Sequence, residues 1–234
     1  MNTDEKVVYD AYVEVAPDGR ALAQLAELPG CFAYGPSEAD AVRLLTEAIP
    51  AYHAWLAAHD EYMPVVNGIF EVVVRETRGV GGFDRAHVGA IFEPGQRIIT
   101  GEDLDWYLSL LDWSYADLLA LIEAADDAAL DRVGAVGESG RGVLTHMLQT
   151  QLWLVSRIEL QPVVTPIGQL PGTLQQRFQQ VRQASIARFR ATTPEERERI
   201  VEHDGERWTL RKALRRSILH VREHTPVLAD MLKE

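Results

Sequence analysis

The sequence predicts an α+β protein with two parts, a small mixed domain followed by an all-helical domain. The first hundred residues alternate short segments rich in β-branched residues with one long amphipathic segment, whereas four long segments with helical periodicity fill the remainder. A chain of 234 residues also exceeds the common size of a single domain. Pro94 and Gly95 interrupt the periodicity, so we expect one domain at residues 1–95 and a second at residues 96–234.

The amino-terminal domain is predicted to have the order β-β-β-α-β, followed by a further short strand. The turn sequence Ala16-Pro17-Asp18-Gly19 joins two extended runs and therefore indicates a hairpin. Ser37 is a good helix start, since a hydroxyl caps free backbone amides, and we expect Pro50 to kink that helix. The expected strands are Val7 to Val15, Arg20 to Leu28, Cys31 to Tyr34, Val65 to Val74 and a further short one at Val88 to Phe92, with the helix running from Ser37 to about His59.

The carboxyl-terminal domain is predicted to be a four-helix bundle, because apolar residues recur every three to four positions in each of four segments. The long connection before the last helix contains Thr193-Pro194-Glu195-Glu196, which indicates an extra short helix. The four long helices are expected at about Glu102 to Ala125, Gly140 to Glu159, Pro171 to Ala191 and Thr209 to Lys233.

Composition excludes several classes of function. The formal net charge is −12, and residues 1–95 hold six basic and fifteen acidic side chains, which disfavours a nucleic-acid surface. Cys31 is the single cysteine, so neither an intrachain disulfide nor a thiolate metal cluster can form, and we expect it to be a buried small side chain rather than a nucleophile. The polar start of the chain and the lack of a long apolar run predict a soluble, cytoplasmic protein with no membrane segment.

Three histidines form the most informative pattern in the chain. His220 and His224 are four residues apart and therefore lie on one face of the last helix, while His146 is in the middle of an apolar helix. Imidazoles from facing helices are a common way to build a metal centre in a bundle, and three of them leave a coordination position open for water or substrate. Neutral imidazole suits zinc, nickel, copper or iron. The alternative is that His220 and His224 face solvent beside Arg216 and Glu223.

The other histidines and the tryptophans point to packing rather than chemistry. His53, His59, His87 and His203 have no comparable partners, which favours surface or packing roles. Trp106, Trp113, Trp153 and Trp208 are expected in the core or lining a pocket. The basic run Arg211, Lys212, Arg215 and Arg216 is expected to form a solvated face, with attraction of an anionic cofactor as the alternative.

The carboxyl-terminal motifs resemble the DinB-like, damage-inducible family of metal-binding bundles. The resemblance covers about residues 100–234 and is carried by the order of four helices, Leu144-Thr145-His146-Met147-Leu148, Trp208-Thr209-Leu210 and Leu219-His220-Val221-Arg222-Glu223-His224. It implies that His146, His220 and His224 bind one divalent metal ion, often zinc or nickel. Some members are transferases or isomerases that depend on bacillithiol, mycothiol or glutathione. Pro226 lies just after His224, the second ligand of the last helix, and we expect a bend there.

The amino-terminal domain resembles HicB-type antitoxin domains. The similarity covers about residues 5–75 and is carried by Tyr12-Val13-Glu14-Val15, Asp18-Gly19, Ala26-Glu27-Leu28-Pro29-Gly30-Cys31 and Ser37-Glu38-Ala39-Asp40-Ala41. It implies the β-β-β-α-β order and the binding of a small protein partner. Because no helix-turn-helix follows and the charge is acidic, DNA repression is not expected.

Two functions are compatible with these patterns. The first is a metal-binding enzyme, either a thiol-dependent transferase or a metal-assisted hydrolase, that acts on a small-molecule thiol or electrophile. The second is a non-enzymatic stress-response or toxin-antitoxin-like module that binds a protein through its amino-terminal domain. A homodimer is an expectation from analogy in either case. No general acid or base is identified by the motifs.

Overall fold

The computed structural model describes residues 6–61, 70–83, 89–134, 137–162 and 164–233, and the chain is mixed α+β as predicted. It divides into two compact units, Met1–Pro94 and Gly95–Glu234. The first unit contains a β-sheet with one long helix, and the second is largely helical. Among the described residues, no helix has both the length and the apolar character that a bilayer crossing requires.

The amino-terminal unit is a four-stranded sheet covered by a helix. Strands β1 (Val7–Val15), β2 (Ala21–Leu25) and β3 (Phe32–Gly35) are antiparallel neighbours, and β4 (Phe70–Gly79) pairs with β1 in parallel, which gives the order β3-β2-β1-β4. Helix α1 (Glu38–Ala58) packs on all four strands and continues through Pro50. Ser37 accepts a hydrogen bond from the amide of Asp40, as a helix-capping residue does.

The last two predicted strands of this unit need correction. Residues 65–69 and 88 lie outside the described part of the chain, but β4 continues to Gly79, five residues beyond the predicted end. Residues 89–92 are not a strand: the Ala90 amide donates to the buried Glu14 carboxylate, and Phe92 packs against Tyr12 with ring centroids 5.3 Å apart. This segment therefore satisfies a buried acid on β1 instead of adding to the sheet. Cys31 is buried, as predicted.

Four long helices dominate the second unit, in the predicted order. They are α3 (Gly101–Ala124), α5 (Gly140–Ser156), α6 (Leu174–Arg190) and α8 (Leu210–Met231). Thr100, Ser139, Thr173 and Thr209 cap their first turns through side-chain oxygens. Helix α3 packs against α6 and α8, and α5 packs against the same two helices. Apolar residues from all four fill the interior, including Leu108, Leu148, Phe178 and Leu214.

Short elements connect these helices. The predicted short helix is α7 (Pro194–Glu198), with Thr193 and Glu196 forming a reciprocal cap. Three further short elements carry no signal that predicted them: α2 (Glu93–Gln96), α4 (Asp127–Asp131) and the hairpin of β5 (Val201–His203) and β6 (Glu206–Trp208). Helix α6 begins at Leu174, three residues after the predicted start, because Thr173 rather than a residue near Pro171 caps it. Helix α8 continues through Pro226 to Met231.

Gly35 provides a test of the packing between β3 and α1. A Cβ atom at this position would lie 2.8 Å from Ala41 Cα, and the backbone of α1 cannot move away without leaving the sheet. We expect Gly35→Ala to lower the free energy of unfolding of this unit by about 3 kcal/mol, at the upper end of the usual cost of overpacking. Hydrogen exchange of the β3 and α1 amides measures this change.

The matched control for that substitution is Gly79→Ala at the end of β4, where a Cβ would meet no atom within 4 Å. Its exchange protection should stay close to that of the wild type. Equal protection in the two variants would show that the contact between Gly35 and α1 is looser than described.

A buried histidine makes the stability of the amino-terminal unit depend on pH. His53 Nε2 and the Tyr9 hydroxyl are 2.9 Å apart in a buried hydrogen bond, and burial lowers the pKa of His53 from its ordinary value of 6.5. The unfolded chain therefore binds a proton more readily than the folded one, and stability is lost as pH falls through about 6.5 and below. We expect the protection factors of the α1 amides, which compare observed exchange with intrinsic exchange at the same pH, to fall between pH 7.5 and pH 5.

His53→Gln tests the origin of this pH effect, because glutamine retains a hydrogen-bonding group for Tyr9 but does not titrate in this range. The residual pH dependence of α1 exchange should become smaller in that variant. An unchanged pH dependence would assign the effect to another group.

Candidate metal centre

Helices α5 and α8 run antiparallel at close range and bring the three predicted histidines together. A Cβ at Gly140, the first residue of α5, would lie 3.1 Å from Leu228 Cδ1 near the end of α8. Further along, the Gln151 side-chain amide of α5 donates to the Ser217 hydroxyl of α8 at 3.3 Å, and both residues are fully buried. His146 lies between these two contacts along α5. The pairing therefore places it beside His220 and His224.

The three imidazole rings form a compact triangle. Ring centroids are 5.2 Å apart for His146 and His220, 5.2 Å for His146 and His224, and 4.6 Å for His220 and His224. One ligand nitrogen from each ring can be chosen so that all three lie within 4.8 Å of one another. All three side chains are half-buried, at the edge of the helix interface rather than in its apolar interior. The alternative in which His220 and His224 face solvent beside Arg216 and Glu223 does not describe these half-buried rings, which converge on His146.

The distances within the triangle fit a shared cation. The Nε2 atoms of His146 and His220 are 3.3 Å apart. Two nitrogens bound to one tetrahedral zinc ion at about 2.0–2.1 Å are separated by about 3.3 Å. His220 Nδ1 is buried and makes no hydrogen bond to any residue that the structure describes. An imidazole with one nitrogen unpartnered and the other facing a second imidazole suits coordination better than a network of hydrogen bonds.

The electrostatics favour neutral rings. Burial, followed by the neighbouring His224, His146 and Arg216, holds the pKa of His220 well below 6.5. Burial also lowers the pKa of His224, while the negative charge of Glu138 acts in the opposite direction. Neutral imidazole is the form that binds metal ions, so the cluster needs little proton release before it can act as a ligand set.

Two neighbouring groups shape the cluster from α5. Thr150 Oγ1 lies 3.5 Å from His146 Nδ1, one turn along the helix, which leaves His146 Nε2 directed toward His220. A contact of this kind at the second nitrogen orients metal-binding histidines. Glu138, just before α5, folds its side chain over Gly142, since a Cβ at Gly142 would lie 3.2 Å from Glu138 Cγ. Glu138 is the acidic group whose charge opposes the lowering of the His224 pKa by burial.

The remaining histidines lie elsewhere. His53 bonds to Tyr9, His59 packs on Trp55 with ring centroids 5.2 Å apart, and His203 belongs to β5. His87 is outside the described residues. None of the three that are described joins the cluster of His146, His220 and His224.

The predicted solvated face of α8 needs correction. Lys212 is buried: its Nζ is 2.6 Å from Glu206 Oε1 and lies 4.4 Å from the ring centroid of the buried Trp208. Arg211 bonds to Asp103 of α3 and to the backbone carbonyl of Ile98. These two side chains attach α8 to its surroundings instead of facing solvent, because the β5–β6 hairpin and the start of α3 supply acids next to them.

Sequence reasoning missed four residues near the cluster, namely Gln151, Ser217, Glu138 and Arg216. Gln151 and Ser217 are uncharged polar residues in otherwise apolar stripes, a pattern that signals a buried contact between helices. Arg216 is one helical turn before His220. This spacing is visible in the sequence, but Arg216 was predicted to face solvent. Nothing in the local sequence marks Glu138, because its position depends on the loop before α5.

No protein-family model matches the chain, and no curated protein or solved structure is significantly similar to it. The chemistry of the centre must therefore be inferred from the side chains themselves.

Proposed function

We propose that the carboxyl-terminal unit is a DinB-like four-helix bundle that binds one divalent metal ion through His146, His220 and His224. The convergence of three imidazoles from two helices is the observation that carries this proposal. The packing of α3 and α5 against the same two helices supports the bundle, since each long helix then has two neighbours around a shared core. The ligand motifs of the DinB-like resemblance fall on the same three residues.

The donor set favours zinc or nickel. Three neutral nitrogens and no thiolate suit a borderline cation rather than magnesium or calcium, which prefer oxygen ligands. Three protein ligands also leave a position for a small molecule, which is typical of reactive rather than structural sites. A bound cation of this kind would supply Lewis-acid chemistry.

The protein's own residues would prepare the centre for that chemistry. His146 is oriented by Thr150, and His220 and His224 are kept neutral by burial. The buried contact of Gln151 with Ser217 holds α5 and α8 in register beneath the rings. The negative charge of Glu138 acts on His224 and would offset part of the positive charge of a bound cation. We therefore propose a thiol-dependent transferase or a metal-assisted hydrolase, with a low-molecular-weight thiol as the co-substrate in the first case.

Metal stoichiometry tests the ligand set. Purified protein loaded with zinc or nickel and then desalted should retain one metal ion per chain by elemental analysis. Replacing His220 by glutamine, which keeps most of the side-chain volume, should weaken metal affinity by more than about 100-fold, because losing a ligand exceeds the cost of losing an outer partner. His146→Gln and His224→Gln should behave in the same way.

His203→Gln is the matched control for these substitutions, since His203 is also half-buried in this unit but belongs to β5. It should retain one metal ion per chain. Circular dichroism of each variant separates loss of a ligand from loss of the fold. Unaltered metal content in folded His220→Gln would show that the ligand assignment is wrong.

Thiol consumption tests the proposed reaction. Metal-loaded protein should accelerate the loss of free thiol when bacillithiol, mycothiol or glutathione is mixed with an aryl halide or epoxide, and the His146→Gln variant should not. Acceleration of ester hydrolysis without thiol consumption would favour the hydrolase instead.

A second function, binding of a protein partner, is favoured by the edges of the amino-terminal sheet. In the described sheet β3 and β4 are the outer strands, and Val74 of β4 and Val8 of the neighbouring β1 are exposed apolar side chains. Outer strands offer unpaired backbone groups to a strand of another chain. A metal-loaded protein that turns over neither thiols nor esters would favour this alternative.

A further inference from the structure

Arg216 is a positive charge directly beside the histidine cluster. It precedes His220 by one turn of α8, so the two side chains share a helix face. The side chain is half-buried. A cation-binding cluster normally excludes a neighbouring positive charge, because the two repel each other. The presence of an arginine here therefore calls for a partner of opposite charge.

The described residues do not supply that partner. Arg216 Nη1 is sealed from solvent and has no hydrogen bond, and the guanidinium makes no ion pair with any acid that the structure describes. Three other arginines of the same unit are paired, namely Arg182 with Asp112, Arg188 with Glu159 and Glu196, and Arg211 with Asp103. Arg177 of α6 also has a buried nitrogen without a partner, but Arg216 is the one that shares a helix face with His220. Because Nη1 is closed to a ligand, an oxyanion would meet the other two guanidinium nitrogens of this half-buried side chain, Nε and Nη2, which form no ion pair with a described acid either.

From this arrangement we infer that Arg216 recognises an oxyanion, a carboxylate or phosphate group, on the small molecule that binds at the histidine cluster. The inference rests on the proposed function, since it assigns the substrate class of the same site. Imidazole ligands carry no charge, so they would leave the full charge of a divalent cation uncompensated, and Arg216 adds a further positive charge. The planar fork of a guanidinium matches two oxygens of a carboxylate or phosphate group.

The test follows anion binding rather than turnover. Protein loaded with cobalt(II) in place of the native ion is titrated with acetate, with inorganic phosphate and with neutral imidazole, and the visible absorption of the cobalt reports each ligand. Arg216→Gln should bind at least one of the two anions at least about tenfold more weakly than the wild type, as expected for the loss of a charge-assisted hydrogen bond. Imidazole binding should stay unchanged. Whichever anion loses more affinity identifies the carboxylate or the phosphate as the preferred group.

Arg190→Gln is the matched control, because Arg190 is an exposed arginine at the end of α6 and its loss changes the net charge equally. It should leave all three titrations unchanged. Cobalt content is measured first for each protein: a wild type that holds no metal would overturn the proposed centre and this inference with it. A wild type and an Arg216→Gln variant that both hold one cobalt ion and bind the anions equally would overturn the role of Arg216 alone.

Discussion

The close antiparallel packing of α5 against α8 is the interaction on which the rest of the histidine cluster depends. At one end Gly140 admits the side chain of Leu228, and at the other Gln151 bonds to Ser217 in a fully buried contact. The glycine sets the distance between the helices, and the polar pair sets their register, because a shift by one turn would leave the buried hydroxyl and amide without each other. The imidazoles meet as a result of these two constraints.

Local signals in the sequence predicted those parts of the fold that depend on interactions between residues close together in the chain. Ser37, Thr193 and Thr209 mark helix starts because a hydroxyl caps amides within its own turn. The hairpin of β5 and β6 was missed because strands of three residues carry no usable periodicity. The end of β4 was placed too early, since its outer face is polar and the pairing with β1, far away in the chain, extends it to Gly79.

The positions of the histidines in the candidate site were predicted from the sequence, whereas their surroundings were not. The spacing of His220 and His224 follows from the helix period, and His146 was selected by its apolar surroundings and by resemblance. The environment of these rings depends on groups from elsewhere. Lys212 was assigned to solvent, yet Glu206 on β6 and the face of Trp208 bury it. Arg216 was assigned to the same face, and its isolation became visible once the partners of the other arginines were known. The sequence does not show which arginine lacks a counterion, because the acids that pair with arginines here come from distant parts of the chain.

His146 and His220 touch although 74 residues separate them along the chain. A cation held by both would act as a crosslink that closes a loop containing all of α6, α7 and the β5–β6 hairpin. By the loop-closure relation used for covalent crosslinks, restricting the unfolded chain in this way is worth about 4–5 kcal/mol. Metal supply would then govern how long the polypeptide survives in the cell, since a chain without its ion would open that loop to proteases more often.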